Sequence, residues 1–372
     1  SDLGGRDIDT SILQTRDGTI WVGGSGRLHA YRNGTWAVYR LNDLDLPAHR
    51  IRLIESGDGA LWIAGLGQDA ARLDLATSRW TTYEGLNFQT ETPDGDLWFV
   101  AEDFGVVRKR GVLWERFGTS DGLMRAPWGV LAESETVWAF GSDGKHASTA
   151  RFDPATQRWE ATSHPELAHF VSYHGSHVAG DGSIWFGAQT DFVPAAGHKG
   201  GVLQITPAGI RHHLPPDGPE FVYAIAETED GLWFGGSHLR RFNGMWEAIT
   251  EPEGLAGWVL DIASADRHLW VGTRTNGLFE RRNGRWIRHS KLNGLPDDRI
   301  DAVLPLPQGH VIARILFEHR PNTHLRRQIL QRHDDTDHGT RLIRKRRNPT
   351  IERHADTLDF FPFDLQALPV FE

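Results

Sequence analysis

The chain has 372 residues, 39% apolar and 24% charged, with 41 glycines, 15 tryptophans and a formal net charge of −9. It contains no cysteine, which excludes disulfides, thiolate metal ligands and thiol catalysis, and its acidic balance argues against a nucleic-acid backbone as main partner. No stretch of 18 apolar residues occurs, so no helical membrane span is expected, and Ser1-Asp2-Leu3-Gly4-Gly5 lacks the basic and apolar segments of a signal peptide.

From the N-terminus, Thr10 to Thr15 is a short mixed apolar run followed by Asp17-Gly18, a pair suited to a tight hairpin. Ile20 to Val22 is a second strand, Gly23 to Gly26 turns the chain, and Leu28 to Tyr31 alternates in and out. Asn33-Gly34 is the next hairpin signal and leads into Trp36-Ala37-Val38-Tyr39. Four antiparallel strands are therefore predicted between Thr10 and Tyr39.

The same syntax then recurs. Trp21, Trp62, Trp98, Trp138, Trp185, Trp233 and Trp270 each sit in a short apolar frame, between 36 (Trp62 to Trp98) and 48 (Trp185 to Trp233) residues apart. That period fits one supersecondary unit stacked against its neighbours. Asp58-Gly59, Asp94-Gly95, Asp181-Gly182 and Asp230-Gly231 precede second strands, whereas Asn243-Gly244 and Asn283-Gly284 precede fourth strands. Fourth strands carry Trp36, Trp80, Trp114, Trp159, Trp246 and Trp286. The fourth unit has Glu133-Ser134-Glu135-Thr136 in place of its Asp-Gly turn, and the seventh has Asp266-Arg267-His268. The fifth carries a long excursion from Gln189 to Gly201. The expected fold is all-β, a seven-bladed β-propeller of four-stranded antiparallel blades, with those thirteen tryptophans packed between blades.

After Arg288, Gly294 to Ile300 restarts the pattern and Asp301 to Leu306 is a plausible strand, but residues 309–372 have no tryptophan and only two glycines. The expected division is a propeller over 1–308 and an irregular basic tail over 309–372, which reads as solvated, as a degraded last blade, or as the product of a shifted frame. If residues 300–332 complete a blade, the ring has eight.

The first strand of each propeller blade lines the channel. Counting back from the repeat tryptophans places Arg50, Phe88, Trp128, His174, Tyr223 and Trp258 at one mouth. Trp128 and Trp258 lie outside both repeat tryptophan positions. Aromatic faces flanked by Arg50, His174 and Asp261 suit stacking on a sugar ring or another flat polar ligand. His174, His177 and His198 are weak candidates for a metal or a general base, because their spacing matches no ligand motif. No cofactor is implied: there is no nucleophile elbow, P-loop or dinucleotide fingerprint, and Gly23-Gly24-Ser25-Gly26 opens no helix.

The recurring phrase, seen in Asp17 to Gly23 and Asp230 to Gly235 with the linker Gly294 to Ile300, resembles the two-component regulator propeller repeat over roughly residues 1–308. The resemblance implies a ligand-sensing, extracytoplasmic part of a bacterial signalling protein, often one responding to oligosaccharides. It also implies a periplasmic location and a signalling output domain or protein as partner. The chain departs from that family in showing no kinase segment, receiver segment or second propeller. It is also similar to streptogramin-lyase-like propellers, which use histidines and a glutamate with magnesium, but that catalytic motif has no residue-by-residue match here. Non-enzymatic sensing is the primary expectation. The enzyme alternative requires His174, His177 or His198 to meet a carboxylate such as Glu220 or Glu227, and a protein-binding scaffold is the third reading.

Overall fold

Asn33 and Asn283 take left-handed backbone angles (φ 49° and 48°), as do Gly34 and Gly284 after them (80° and 77°). Two successive positive φ values give the turn whose twist matches that of the flanking strands, so these hairpins close where the sequence places them. The Asp-Gly turns work differently. There only the glycine is left-handed, as at Gly18 (82°) and Gly59 (80°), and the aspartate accepts a hydroxyl proton, Thr15 Oγ1 to Asp17 Oδ1 at 2.7 Å and Ser56 Oγ to Asp58 Oδ1 at 2.6 Å.

The computed structural model describes residues 11–24, 27–41, 51–65, 69–133, 136–167, 171–188, 200–252, 254–306, 310–314 and 328–330. The chain is an all-β propeller of seven four-stranded antiparallel blades, each with its strands side by side in chain order. Blade one comprises Ile12–Gln14, Ile20–Gly24, Arg27–Arg32 and Thr35–Arg40. An eighth sheet has three described strands, Ala302–Leu306, His310–Arg314 and Gln328–Leu330. Its first strand packs on the first strands of blade seven and blade one, so the ring closes through it. Two strands thus lie beyond residue 308. The basic run Arg341–Arg347 lies outside the described residues.

The second-strand tryptophans fill the seams. Trp21 packs with Ile51, Leu53 and Ile63 of blade two, Trp233 with Ile262 and Phe279 of blade seven, and Trp270 with Ile300 and Val303 beyond it. Fourth-strand tryptophans close the seam on the opposite side, as Trp159 does against Trp98 at 5.8 Å between ring centres. Trp114 is the exception, at 46% exposure on the rim of blade three.

Three seams are also held by polar contacts that recur with the repeat. Glu55 and Glu227, at or next to the ends of the first strands of blades two and six, accept backbone amide protons from the preceding blade's turn, Arg16 N at 2.9 Å and Gly180 N at 2.7 Å; Glu91 and Gly57 N make the same contact. The next residue, a serine or threonine, ties the turn, and in two blades it also takes the tryptophan N–H: Trp21 Nε1 to Thr15 Oγ1 at 3.1 Å, Trp233 Nε1 to Thr228 Oγ1 at 2.8 Å. The glycine two residues after the tryptophan is a docking notch. A Cβ at Gly187 would stand 2.5 Å from Val222, and one at Gly235 would stand 2.5 Å from Val259, the first residues of the next inner strands.

Candidate functional site

Inner strands begin at one mouth of the channel and end at the other, so the residues at their starts share a rim. On blade six, the pairing of Val222–Thr228 with Gly231–Gly236 slips between Val222 and Ala224, leaving Tyr223 as the extra residue of a β-bulge. Trp128 occupies the same place on blade four, where the slip falls between Pro127 and Gly129. A bulge bends the strand and re-aims the side chain it leaves unpaired. Trp128 is accordingly 43% exposed.

Tyr223 and Trp258 come together, with centroids 6.0 Å apart, and Phe221 lies between them, 4.6 Å from Tyr223 and 5.4 Å from Trp258. Phe221 is buried while Trp258 keeps 36% exposure, so one ring supports and the other presents a face. The support is specific. A Cβ at Gly236 would fall 1.6 Å from the Phe221 carbonyl oxygen, so only glycine lets the neighbouring strand pass there.

Trp258 is fixed from blade seven. Its carbonyl accepts Arg274 N at 2.9 Å. The turn bearing Arg274 is tied by Thr273 Oγ1 to the Gly277 carbonyl at 2.7 Å and by Asn276 Nδ2 to the Gly254 carbonyl at 2.8 Å. Burial pushes the Tyr223 phenol pKa up, against the nearby positive charge of Arg274. Phe221, Arg274 and Asn276 were not singled out from the sequence. The count back from each tryptophan selects one residue per blade, and the turn after the second strand carries no motif.

The remaining sequence candidates fare differently. Phe88 is fully buried and stacked on Trp62 with centroids 4.2 Å apart, because in blade three the bulge falls at Gln89 and turns Phe88 into the seam. It has no surface to offer a ligand. Arg50 and His198 lie outside the described residues, as does the His174 side chain. Asp261 is on the first strand of blade seven. It is half-buried, and its oxygens accept Ile262 N at 2.9 Å and Val303 N at 2.8 Å. Burial raises its pKa to about 7 despite those two donors.

His177 does meet Glu227, at 3.6 Å. Both residues stand near the ends of their inner strands, at the mouth opposite Tyr223 and Trp258. Glu227 there makes the seam contact that Glu55 and Glu91 make elsewhere, so a structural role accounts for the pair. A second histidine group lies between blades four and five, where His164 bonds Thr149 Oγ1 at 2.8 Å and His212 at 3.1 Å. Burial first, and the adjacent His212 second, lower the His164 pKa to about 4. Among the described residues no group of three or more histidine or carboxylate side chains is arranged to hold a metal, and no helix is long and apolar enough to cross a membrane.

No family model matches the sequence, and no curated protein matches it either. Among solved structures, the chain is similar to the extracellular domain of a protein described as a hybrid two component system, BT4673 from B. thetaiotaomicron, with TM-score 0.50 and 18% identity over 84% of this chain and 39% of that one. It is similar to the corresponding domain of BT3049 from the same organism, with TM-score 0.50 and 12% identity over 82% and 50%. It is also similar to BamB from Moraxella catarrhalis, with TM-score 0.53 and 14% identity over 82% and 92%. The chain thus spans 39% and 50% of the two two-component domains. At these identities the likeness establishes the propeller fold.

Proposed function

We propose that this chain is a non-enzymatic, ligand-sensing propeller, resembling the sensor region of bacterial two-component regulators, which binds an oligosaccharide at the mouth of blades six and seven. The observation that carries the reading is the Phe221–Tyr223–Trp258 platform, in which a tryptophan outside the repeat positions keeps an open face at a channel rim. Aromatic faces with a few fixed polar groups suit flat polar ligands. Trp128, re-aimed by its own bulge, extends the aromatic rim on blade four. The fold shared with extracellular two-component domains supports a location outside the cytoplasm and a signalling output partner.

The test is a thermal-shift screen of the full chain against oligosaccharides, repeated with Trp258→Ala and Trp128→Ala. A ligand at a hundredfold excess over its Kd should stabilise the fold by about 2.7 kcal/mol. The reading requires a saccharide-dependent shift that disappears in Trp258→Ala. A shift with divalent metal alone would favour the enzyme alternative, and no shift with any small molecule would favour a protein-binding scaffold.

A further inference from the structure

Arg274 stands at the edge of the aromatic platform, exposed, and among the described residues its guanidinium makes no hydrogen bond or ion pair. Many arginines of the molecule are committed. Arg108 is bound to Glu115, Arg241 and Arg281 to Asp230, and Arg299 to Asp301. The Arg274 backbone is also fixed, through its amide to the Trp258 carbonyl, so the side chain springs from a set point next to Trp258, and its charge is felt at Tyr223. Two nearby acidic side chains are otherwise engaged, Asp261 by two backbone amides and Asp298 by Lys291 N at 2.7 Å.

We propose that Arg274 is a specificity-determining residue and that the ligand is an anionic saccharide, a pyranose whose ring lies on Trp258 and whose carboxylate or sulfate is gripped by the guanidinium. This rests on the reading of the platform as the ligand site. A carboxylate on C5 of a pyranose projects from the ring edge. A ring lying flat on Trp258 therefore points such a group sideways, toward the turn that carries Arg274. The planar guanidinium fork matches a carboxylate or sulfate in two parallel hydrogen bonds, which a lysine ammonium does not. The chain's net charge of −9 does not oppose this at contact distance, since surface charges further off than about 8 Å are screened at physiological ionic strength.

The test is calorimetric titration of the full chain with three probes of one scaffold: a galacturonate trisaccharide, its carboxyl-reduced galactose counterpart, and that neutral trisaccharide carrying a 6-O-sulfate. Wild type, Arg274→Gln, Arg274→Lys and Trp258→Ala are compared, with circular dichroism confirming the fold of each. The expected result is binding of at least one anionic probe ten times or more tighter than the neutral one. Arg274→Gln should abolish that preference, Arg274→Lys should restore part of it, and Trp258→Ala should lose all binding. Whichever anionic probe binds tighter identifies the charged group as carboxylate or sulfate. Equal affinity for the neutral probe, unchanged in Arg274→Gln and lost in Trp258→Ala, would overturn the proposal while leaving the platform as the site. Failure of all three probes to bind would overturn both.

Discussion

Glu227 accepts the backbone amide proton of Gly180 at 2.7 Å, across the seam between blades five and six. The carboxylate thus holds two consecutive blades together and also faces His177. A hydrogen bond to a charged acceptor contributes about 1.5–3 kcal/mol, less where the acceptor is partly solvated, as Glu227 is. Glu227→Ala should lower stability by about 1 kcal/mol in chemical denaturation, and Glu227→Gln, which keeps an accepting oxygen, by less. The His177 pKa is lowered by burial and held up by Glu227. In Glu227→Ala an NMR titration should show it falling further; a rise would contradict this account of the pair.

Thr15 carries a second linkage, between turn and core. It is buried, accepts Trp21 Nε1 at 3.1 Å and donates to Asp17. Thr15→Val keeps the shape but leaves the indole N–H without its acceptor and removes one donor from Asp17, which keeps Thr19 N and Arg32. A buried donor left unpaired costs about 1–3 kcal/mol. Urea unfolding should register that loss, and a variant as stable as wild type would show that water replaces the hydroxyl.

These two contacts show how far the sequence was legible. Tryptophans at a blade-length period and Asp-Gly pairs predict the strands and their order, because seam burial and left-handed turns impose strict residue types. The same segments hold Glu55-Ser56, Glu91-Thr92 and Glu227-Thr228, whose roles depend on the adjacent blade and therefore have no periodicity of their own along one strand. The mouth was half legible. Tyr223 and Trp258 follow from counting, whereas Phe88 was misplaced because a bulge one residue away reverses which face a side chain takes. Arg274 sits in a turn with no motif, and its position is set by a hydrogen bond to the Trp258 carbonyl.

Asp261 makes stability fall as pH rises from acid to neutral. Its folded pKa, about 7, lies above the ordinary 3.8, so the folded state holds a proton that the unfolded chain releases. Its contribution is complete below pH 4 and is lost as pH rises toward 7. Each pKa unit corresponds to about 1.4 kcal/mol. Asp261→Asn cannot ionise and can still accept from Val303 N, so its denaturation midpoint should vary less between pH 5 and pH 8 than that of wild type. Parallel pH profiles for the two proteins would refute the assignment.

His164 acts on the acid side. Its folded pKa, about 4, is below the ordinary 6.5, so the unfolded chain takes up the proton first. The contribution is present above pH 6.5 and is lost as pH falls toward 4. His164→Asn should be less stable than wild type at pH 7.5, having lost its bonds to Thr149 and His212, yet should lose less between pH 6.5 and 4.5. The measurement is guanidinium denaturation at both ends of that window; an unchanged acid slope would place the titration elsewhere.

Closure of the ring through the eighth sheet rests on few side chains. Ile312 is buried with Ile20, Val22 and Tyr31 of blade one, although it lies in the segment whose sequence loses the repeat. Truncating a buried isoleucine to alanine costs about 2–5 kcal/mol, whereas a surface substitution stays within about 0.5 kcal/mol. Ile312→Ala should therefore destabilise the whole chain, and its effect should not add simply to that of Val22→Ala. Side chains sharing one cluster couple by about 0.5–3 kcal/mol. A double-mutant cycle in urea measures that coupling directly. A neutral Ile312→Ala with no coupling to Val22 would mean that blade one closes against something other than His310–Arg314, and the pairing of Val303 with Asp261 would then be the limit of the ordered ring.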